Sequence, residues 1–234
     1  MLQLRDIDVV VLAGGLGKRL QPQTGDTPKV LAQVNGIPFL DLLLSNIASQ
    51  GFRRVILCTG YKAEEIESHY RHSSLDLCIE FSREEIPLGT GGAFKLAQKK
   101  IQSPVFFGLN GDCFCSVPFE KFFAYHNEKK ALASLVLNKV EEKSDFGSVV
   151  LSENNEIINF QEKANLISSP FVSVGIYCFD KKAFDHMPAQ NAFSIEREFF
   201  PLLVGKGFYG FVTEHQFLDI GTPDRYQRAQ TELH

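Results

Sequence analysis

The sequence predicts an α/β protein with a doubly wound, mixed and mostly parallel sheet, and three observations support this prediction. Apolar runs rich in β-branched and aromatic residues alternate with helical periodicity over residues 7–140. A glycine-rich loop follows the first of these runs, where open α/β sheets place their ligand crevice. Closely spaced strand signals then flank a polar, hairpin-like turn at residues 152–155. We therefore expect added β structure in the second half of a single domain spanning residues 1–234.

Each predicted element has a local reason. The strands are short β-branched or aromatic runs bounded by turn residues, and we expect them at residues 7–12, 53–58, 75–81, 105–109, 133–140, 147–151, 156–160, 172–179, 208–212 and 216–220. The helices repeat apolar residues every three or four positions, and we expect them at residues 39–50, 63–70, 92–101, 118–130, 195–203 and from residue 223 onward. In the first helix, Phe39, Leu43 and Ile47 share one face, and Gly51 stands where a left-handed residue ends the helix.

Composition and charge exclude several classes of protein. The chain has 234 residues, of which 44% are hydrophobic and 22% charged, as in ordinary globular proteins. The net charge of −4 gives no general attraction to nucleic acid or to an anionic membrane. The five cysteines are an odd number scattered through strand-like runs, which does not suit a disulfide framework. Residues 1–5 show no secretory pattern. No apolar run has the length of a membrane span. We expect a cytoplasmic protein without nucleic-acid or membrane partners, and a homo-oligomer remains open.

The glycine-rich loop is a candidate phosphate-binding loop. Glycines after a first strand let backbone N–H groups approach a phosphate, and adjacent basic side chains add charge. The candidate nucleotide-binding residues of this loop are Ala13, Gly14, Gly15, Gly17, Lys18 and Arg19. A Walker A loop requires Ser or Thr at position 19, and a dinucleotide fingerprint requires Gly at position 20, which is Leu20 here. The alternative is a glycine-rich turn with solvated basic residues.

Six motifs occur in an order that resembles the sugar-1-phosphate nucleotidyltransferases. They are Gly-Gly-x-Gly-x-Arg-Leu followed by Pro-Lys over residues 14–29, and then the segments 87–93, 109–112, 160–163, 174–177 and 217–223. The residue sequences of segments 193–198 and 219–223 are most similar to those of the bacterial D-glycero-D-manno-heptose 1-phosphate guanylyltransferases. The resemblance implies a Rossmann-like nucleotidyltransferase fold and a place in nucleotide-sugar biosynthesis for cell-surface polysaccharides. It also implies Mg²⁺-dependent transfer of a nucleoside monophosphate, with GTP favoured as donor and heptose 1-phosphate as acceptor.

The resemblance assigns the catalytic roles to Arg19, Lys29, Asp112 and Asp219. Asp112 follows the predicted strand 105–109, Asp219 lies in the predicted strand 216–220, and both would bind Mg²⁺, which prefers one or two carboxylates together with phosphate oxygens and water. Arg19 would clamp the β and γ phosphates, because a guanidinium makes bidentate contacts with phosphate oxygens. Lys29 would bind the phosphate of the sugar phosphate. The alternatives are a turn aspartate, a helix-capping aspartate and an ordinary surface lysine.

The resemblance also implies a base site and a sugar site. Residues 87–93 would form the base-recognition loop, with Gly89 and Thr90 contacting the nucleotide together with Asp112, and Glu84 or Glu85 could accept hydrogen bonds from guanine. The sugar phosphate would be bound by Lys29, Gly147, Glu162, Lys163 and Gly175. The two glycines would let the sugar ring approach the backbone closely.

The chain departs from the family pattern at two positions. Lys18 replaces the usual Thr and could add a phosphate contact, and Ser173 stands where relatives commonly have a sugar-binding Asn. The base and the sugar therefore stay open at this point. The alternatives are a uridylyltransferase for N-acetylmuramate or hexose 1-phosphate, a mannose-1-phosphate guanylyltransferase, and a non-catalytic nucleotide-sugar sensor. The presence of two candidate metal carboxylates argues against a sensor.

Overall fold

The structure, a computed structural model, describes residues 2–140, 147–162 and 169–233. Its strands are β1 (Asp8–Leu12), β2 (Gln33–Val34), β3 (Ile37–Pro38), β4 (Arg54–Thr59), β5 (Cys78–Arg83), β6 (Val105–Asn110), β7 (Cys113–Cys115), β8 (Ala133–Lys139), β9 (Gly147–Leu151), β10 (Ile157–Glu162), β11 (Phe171–Asp180), β12 (Phe208–Thr213) and β13 (Phe217–Asp219). Its α-helices are α1 (Gln21–Thr24), α2 (Phe39–Ser49), α3 (Ala63–Tyr70), α4 (Gly89–Ala97), α5 (Phe119–Glu128), α6 (Phe200–Leu203) and α7 (Pro223–Glu232). A π-helix (Ile195–Phe199) precedes α6.

In the described part of the chain, nine strands form one mixed sheet. Seven of them follow the order β10-β9-β11-β6-β1-β4-β5, while β8 pairs with β11 and with β12. Strands β5, β4, β1 and β6 are mutually parallel, and β12 is parallel to β8. Strand β11 runs antiparallel to β6, β8 and β9. The α/β fold class is confirmed, with the antiparallel strands concentrated in the second half.

Helices cover both faces of the sheet, and successive side chains of strand β1 point to opposite faces. Val9 and Val11 pack with residues of α2, α3 and α5, whereas Val10 packs with residues of α4, the π-helix and α6. A third, smaller cluster contains Leu20 and Ile220 together with Ala229 of α7. This third cluster anchors both the glycine loop and the end of β13.

The segment 195–203 differs from its prediction as one amphipathic helix. Its first five residues form the π-helix, and α6 begins at Phe200. Pro201 explains the change, because proline lacks an N–H group and an uninterrupted α-helix cannot donate a hydrogen bond at that position. The backbone N–H of Phe200 instead donates to the carbonyl of Ile195, which widens the preceding turn.

Among the residues that the structure describes, no helix is both long enough and apolar enough to cross a lipid bilayer.

Candidate active site

The carboxyl ends of β1 and β6 lie side by side and define the crevice. Leu12 is the register partner of Asn110, and the N–H of Gly111 donates to the carbonyl of Leu12 at 2.9 Å. Strand β13 is antiparallel to β7, and the N–H of Ile220 donates to the carbonyl of Asp112 at 3.0 Å. Asp219 is thereby paired with Cys113, the residue next to Asp112. One predicted metal carboxylate therefore immediately precedes β7, and the other ends the neighbouring strand β13.

Lys29 and Asp112 form an ion pair inside the crevice. The Lys29 Nζ donates to Asp112 Oδ2, and the lysine side chain is only 13% exposed. Burial alone would raise the pKa of the Asp112 carboxyl, but the charge and hydrogen bond of Lys29 outweigh it and hold that pKa below its ordinary value. Gly17 lies over this pair with a φ of +60°, and a Cβ there would lie 2.8 Å from Lys29 Cβ. The last glycine of the loop thus allows Lys29 to pack beneath it.

Asp219 is held by a network of its own. Its side chain is buried, and Oδ1 accepts hydrogen bonds from the N–H of Gly221 at 2.8 Å and from Arg225 Nη1 at 3.2 Å. Burial, aided by the Asp112 charge, raises the pKa of Asp219 despite these two donors. Thr222 caps α7 by accepting from the N–H of Arg225, so Asp219 is not the helix cap.

Arg225 was missed by the sequence analysis. It lies in the first turn of α7, close enough to the end of β13 to reach back to Asp219. Two features of the sequence signal this contact: the three-residue connection between β13 and α7, and a basic residue in a first helical turn, where the helix dipole disfavours positive charge.

Arg19 lies near Gly221 and Arg225, beside the Asp219 carboxylate. Its Nη2 and the Nη1 of Arg225 each lie 3.8 Å from the position that a Cβ on Gly221 would occupy. The structure therefore brings the four predicted catalytic residues together. We call the region formed by Arg19, Lys29, Asp112 and Asp219 the charged end of the crevice.

The donor set of the charged end fits Mg²⁺. It offers two neighbouring carboxylates, and Mg²⁺ completes its coordination with phosphate oxygens and water. Within residues 2–140, 147–162 and 169–233, no group of three or more His, Cys, Asp or Glu side chains is placed to hold a metal ion. The site therefore suits a cation that arrives with a triphosphate better than a structural zinc ion.

Ala13 lies at the point where the glycine loop leaves the sheet. Its N–H donates to the carbonyl of Cys58 at 2.8 Å and continues the pairing of β1 with β4. This amide is therefore engaged in the sheet, and the predicted nucleotide contact of Ala13 stays a prediction for its remaining atoms. Gly15 and Lys18 are exposed at the rim of the loop.

A cleft of about 230 Å³ lies beside the glycine loop. Its lining includes Gly14 and Gly15 from that loop, Gly89 and Thr90 from segment 87–93, and Glu84. The Oε2 of Glu84 accepts from the N–H of Leu88 at 3.0 Å; burial raises the pKa of Glu84, although this hydrogen bond opposes the rise. The structure therefore joins the predicted phosphate loop to the predicted base loop. Of the two candidate glutamates, Glu84 lines the cleft and Glu85 is an exposed residue that does not.

Segment 87–93 is hydrogen-bonded to the segment before the π-helix. The N–H of Phe193 donates to the carbonyl of Leu88, and the N–H of Gly91 donates back to the carbonyl of Phe193, both at 2.9 Å. The N–H of Ile195 donates to Thr90 Oγ1 at 2.9 Å. The sequence analysis missed these contacts between distant segments. We call residues 84–93 together with residues 191–196 the loop end of the crevice.

The predicted sugar glycines have different local roles. Gly175 has a φ of +76° where the pairing of β11 with β8 is interrupted, and a Cβ there would lie 2.7 Å from Asn110 Nδ2. Gly147 is the register partner of Glu162 at one end of the β9–β10 hairpin, and a Cβ on it would lie 2.7 Å from the ring of Phe160. Close packing with Phe160 is one reason for a glycine at position 147, and the predicted sugar contact of Gly147 stays a prediction. Lys163 lies outside the described residues.

The fold and this crevice define a nucleotide-handling α/β protein, and comparison with known proteins gives its family. Residues 8–234 match the nucleotidyl transferase family, and the chain belongs to it. It is 36% identical to the D-glycero-alpha-D-manno-heptose 1-phosphate guanylyltransferase of Aneurinibacillus thermoaerophilus, over 97% of this chain and 98% of that protein. It is also 35% identical to the mannose-1-phosphate guanylyltransferase of Mycobacterium tuberculosis, over 97% of this chain but 64% of that longer protein.

A solved structure supports the same family assignment. The crystal structure of HddC from Yersinia pseudotuberculosis superimposes with a TM-score of 0.84 at 33% identity, covering 97% of this chain and 100% of that one. The same protein has also been solved in complex with GMP-PN. The predicted family and fold are confirmed.

Proposed function

We propose that the protein transfers the guanylyl group of GTP to D-glycero-D-manno-heptose 1-phosphate, giving a GDP-heptose and pyrophosphate. The observation that carries this proposal is the cleft in which Gly14 and Gly15 of the glycine loop meet segment 87–93 and the Glu84 side chain. Guanine presents the N1–H and the 2-amino group side by side as donors, and an ionised carboxylate accepts two such hydrogen bonds. Uracil has no adjacent pair of donors. A guanine nucleotide therefore fits this cleft better than a uridine nucleotide.

The chemistry requires no protein nucleophile. An oxygen of the sugar phosphate attacks the α-phosphorus of GTP in line, a new P–O bond forms, and the bond to the leaving pyrophosphate breaks. The barrier is largely electrostatic because one anion attacks another, and positioned cations lower it. Lys29, held in place beneath Gly17, would bind the attacking sugar phosphate. Arg19 would bind the outgoing phosphates, because a guanidinium pairs with two phosphate oxygens at once.

Asp112 and Asp219 would hold the Mg²⁺ ion. When bound, this ion supplies positive charge at the triphosphate oxygens. The two carboxylates are prepared for that role by different partners. Lys29 keeps Asp112 ionised, while Gly221 and Arg225 fix one oxygen of Asp219. We also propose, from the free cysteines of the described residues and from the family resemblance, that the protein acts in the cytoplasm, in nucleotide-sugar supply for cell-surface polysaccharides.

The acceptor is supported by the relatives. The Aneurinibacillus protein, which this chain matches over nearly its whole length, is named for heptose 1-phosphate. A mannose-1-phosphate guanylyltransferase is the second candidate, because the Mycobacterium protein has nearly the same identity to this chain. The two candidates share GTP and the charged end, and they differ in the sugar.

A substrate matrix tests the proposal. Purified protein would be assayed with GTP, ATP, CTP and UTP against heptose, mannose, glucose and N-acetylmuramate 1-phosphates, by pyrophosphate release with Mg²⁺. We expect GTP to exceed the other nucleotides by at least about tenfold in kcat/KM, since one buried group left unpaired costs about 1 to 3 kcal/mol. We expect heptose 1-phosphate to be the best acceptor, and the slow Asp112→Asn variant serves as the control.

Two results would contradict the proposal. Higher turnover with UTP or CTP than with GTP would place the protein in a uridylyl- or cytidylyltransferase group. Nucleotide-sugar binding without turnover on any pair would support the non-catalytic sensor.

A further inference from the structure

A lysine joins the turn after β4 to the segment that follows the glycine loop. Lys62 lies between β4 and α3, and its Nζ donates to the carbonyl of Asp26. The same ammonium group pairs with Asp26 Oδ2 at 2.9 Å and with Glu65 Oε1 at 3.1 Å. The Lys62 side chain is 18% exposed, whereas the Asp26 side chain is 84% exposed. Lys62 is therefore a largely covered residue that holds an exposed part of the chain.

Segment 21–27 has few buried residues of its own. Leu20 before it and Pro28 after it are buried, but within it every residue except Thr24 is exposed. Its helix α1 is a single turn, and an isolated helix this short is not stable in water. The position of the segment must therefore be set by contacts with other elements. Lys62 supplies such a contact, as a charge-assisted hydrogen bond together with an ion pair.

The turn that carries Lys62 also contacts the surroundings of Lys29. The preceding residue, Tyr61, donates its N–H to the carbonyl of Gly14 at 3.3 Å. Tyr61 also lines a gap of about 10 Å³ together with Gly17 and Lys29. A gap of this size holds no more than about one water molecule. The turn after β4, the glycine loop and the start of the Lys29 segment are therefore closely packed.

The backbone of Lys62 is left-handed, with a φ of +52° and a ψ of +38°. Asparagine and glycine adopt this conformation at a lower cost than lysine does. Residues held in such conformations often lie at functional sites, where the surrounding contacts maintain them. Lys62 fits that pattern, because it follows the carboxyl end of β4, and β4 is the neighbour of β1 at the crevice.

We propose that Lys62 is a positioning residue that clamps segment 24–28 to the turn after β4 and thereby holds Lys29 where it would bind the sugar phosphate. Asp26 is three residues before Lys29, so a displacement of Asp26 is passed to Lys29 along a short stretch of chain. The kinetic part of this inference rests on the proposed function, whereas the clamp itself is measurable on the free protein.

Four variants separate the parts of the clamp. Lys62→Met removes the charge and the hydrogen-bond donor but keeps the length of the side chain, and Lys62→Arg keeps both. Asp26→Asn removes the ion pair and leaves the carbonyl acceptor in place. Glu65→Gln is the matched control, because it removes an ion pair of the same ammonium group that stays within the turn and α3.

Hydrogen exchange followed by mass spectrometry measures the clamp without substrate. In Lys62→Met we expect the amides of residues 13–31 to exchange about fivefold faster or more, because loss of the charge-assisted contact favours local opening. Asp26→Asn should give a smaller increase, while Lys62→Arg and Glu65→Gln should stay within about twofold of wild type. Peptides from α5 should exchange as in wild type, since they report on the stability of the whole fold.

Steady-state kinetics measure the consequence for Lys29. Lys62→Met should lower kcat/KM for the sugar phosphate by about fivefold or more, while the KM for GTP stays within about twofold of wild type. Lys62→Arg should restore most of the loss, which a general loosening of the fold would not explain.

Unchanged exchange of residues 13–31 in Lys62→Met and Asp26→Asn would overturn the clamp. Equal acceleration in α5, or the same effect from Glu65→Gln, would also overturn it, because neither pattern is specific to the contact with Asp26. Faster exchange with unchanged kinetics for the sugar phosphate would overturn the positioning role. If Lys62→Met does not fold, the exposed Asp26→Asn decides among these outcomes. Absence of wild-type turnover with every sugar phosphate would overturn the proposed function, while the exchange comparison would still decide the clamp.

Discussion

The charged end and the loop end of the crevice are built by different means. At the charged end, side chains of opposite charge meet at the ends of strands: Lys29 pairs with Asp112, and Arg225 pairs with Asp219. At the loop end, backbone groups of two distant segments are joined: the N–H of Phe193 donates to the carbonyl of Leu88, and the N–H of Gly91 donates to the carbonyl of Phe193. The first arrangement concentrates charge where phosphates would react. The second fixes shape, and we infer that it selects the base.

This difference predicts two different effects of substitutions. A substitution at the charged end should lower turnover while the fold stays intact, because those side chains carry charge and little packing. A substitution at the loop end should change stability or substrate preference before it changes the chemical step. The following predictions test that separation.

The largest effect is expected from the two carboxylates. Asp112→Asn or Asp219→Asn should reduce turnover at least a hundredfold, or about 3 kcal/mol of transition-state stabilisation, because each removes a charge from the proposed Mg²⁺ site. Steady-state kinetics at saturating Mg²⁺ measures this, and the exposed Asp224→Asn on α7 is the control. Near-normal turnover in both variants would remove the basis of the metal assignment.

Alanine substitution of Gly91 in the loop end, with Gly15 as the comparison, tests the packing of the loop end through the free energy of unfolding. Gly91→Ala should lower the free energy of unfolding by about 2 to 3 kcal/mol, because a Cβ there would lie 2.2 Å from the buried ring of Phe193. Gly15→Ala should leave stability nearly unchanged, because a Cβ there has no neighbour within 4 Å. Urea denaturation followed by circular dichroism compares them. Equal stability of the two variants would show that the joined loops are not tightly packed.

The two cations of the charged end should affect different substrates. Lys29→Ala should raise the KM for the sugar phosphate, and Arg19→Ala should raise the KM for GTP, each by about tenfold or more as a charge-assisted contact is lost. Separate titrations of the two substrates measure the split, with exposed Arg228→Ala on α7 as the control. The same pattern in both variants would show that the division of labour is incorrect.

The smallest effect concerns His126, which lies away from both ends. Burial lowers the pKa of this imidazole to about 4, although the charge of Asp180 opposes the change, and its Nδ1 lies 2.9 Å from Ser134 Oγ. The unfolded chain takes up the proton near pH 6.5, so this contribution to stability is present above that pH and is lost as the pH falls toward 4.

Between pH 7 and pH 5.5 the wild type should therefore lose about 1 kcal/mol more unfolding free energy than His126→Gln. Urea denaturation at both pH values measures the difference, and exposed His72→Gln should behave as the wild type does. An identical pH dependence in wild type and His126→Gln would contradict the depressed pKa.

The charged end was predictable from sequence because its residues lie in motifs that resemble a known family. Gly17 and Asp112 also follow strands that periodicity predicts, and parallel strands bring their carboxyl ends to one edge. The order of the six motifs along the chain predicted the family, and the comparisons confirm it. The individual site roles and the single domain over residues 1–234 stay predictions.

The loop end was less predictable because its contacts join segments about a hundred residues apart. The hydrogen bond from Ile195 to Thr90 leaves no periodic trace, and Pro201 turned an expected α-helix into a π-helix. The packing around Ala13 and Gly147 was also not predictable. A motif indicates that a small residue is needed, but only the fold shows that the Ala13 N–H pairs with the sheet and that Gly147 packs against Phe160.

The central claim is that the charged end performs the transfer and the loop end selects the base. The most direct test is the ratio of kcat/KM for GTP to that for UTP, measured with one sugar phosphate in wild type, Glu84→Gln and Asp112→Asn. We predict that Glu84→Gln lowers this ratio by about tenfold or more, because one carboxylate acceptor for the guanine donors is replaced by a neutral amide. Asp112→Asn should slow both nucleotides alike and keep the ratio within about twofold. An unchanged ratio in Glu84→Gln, or a collapsed ratio in Asp112→Asn, would contradict the separation of catalysis from selection.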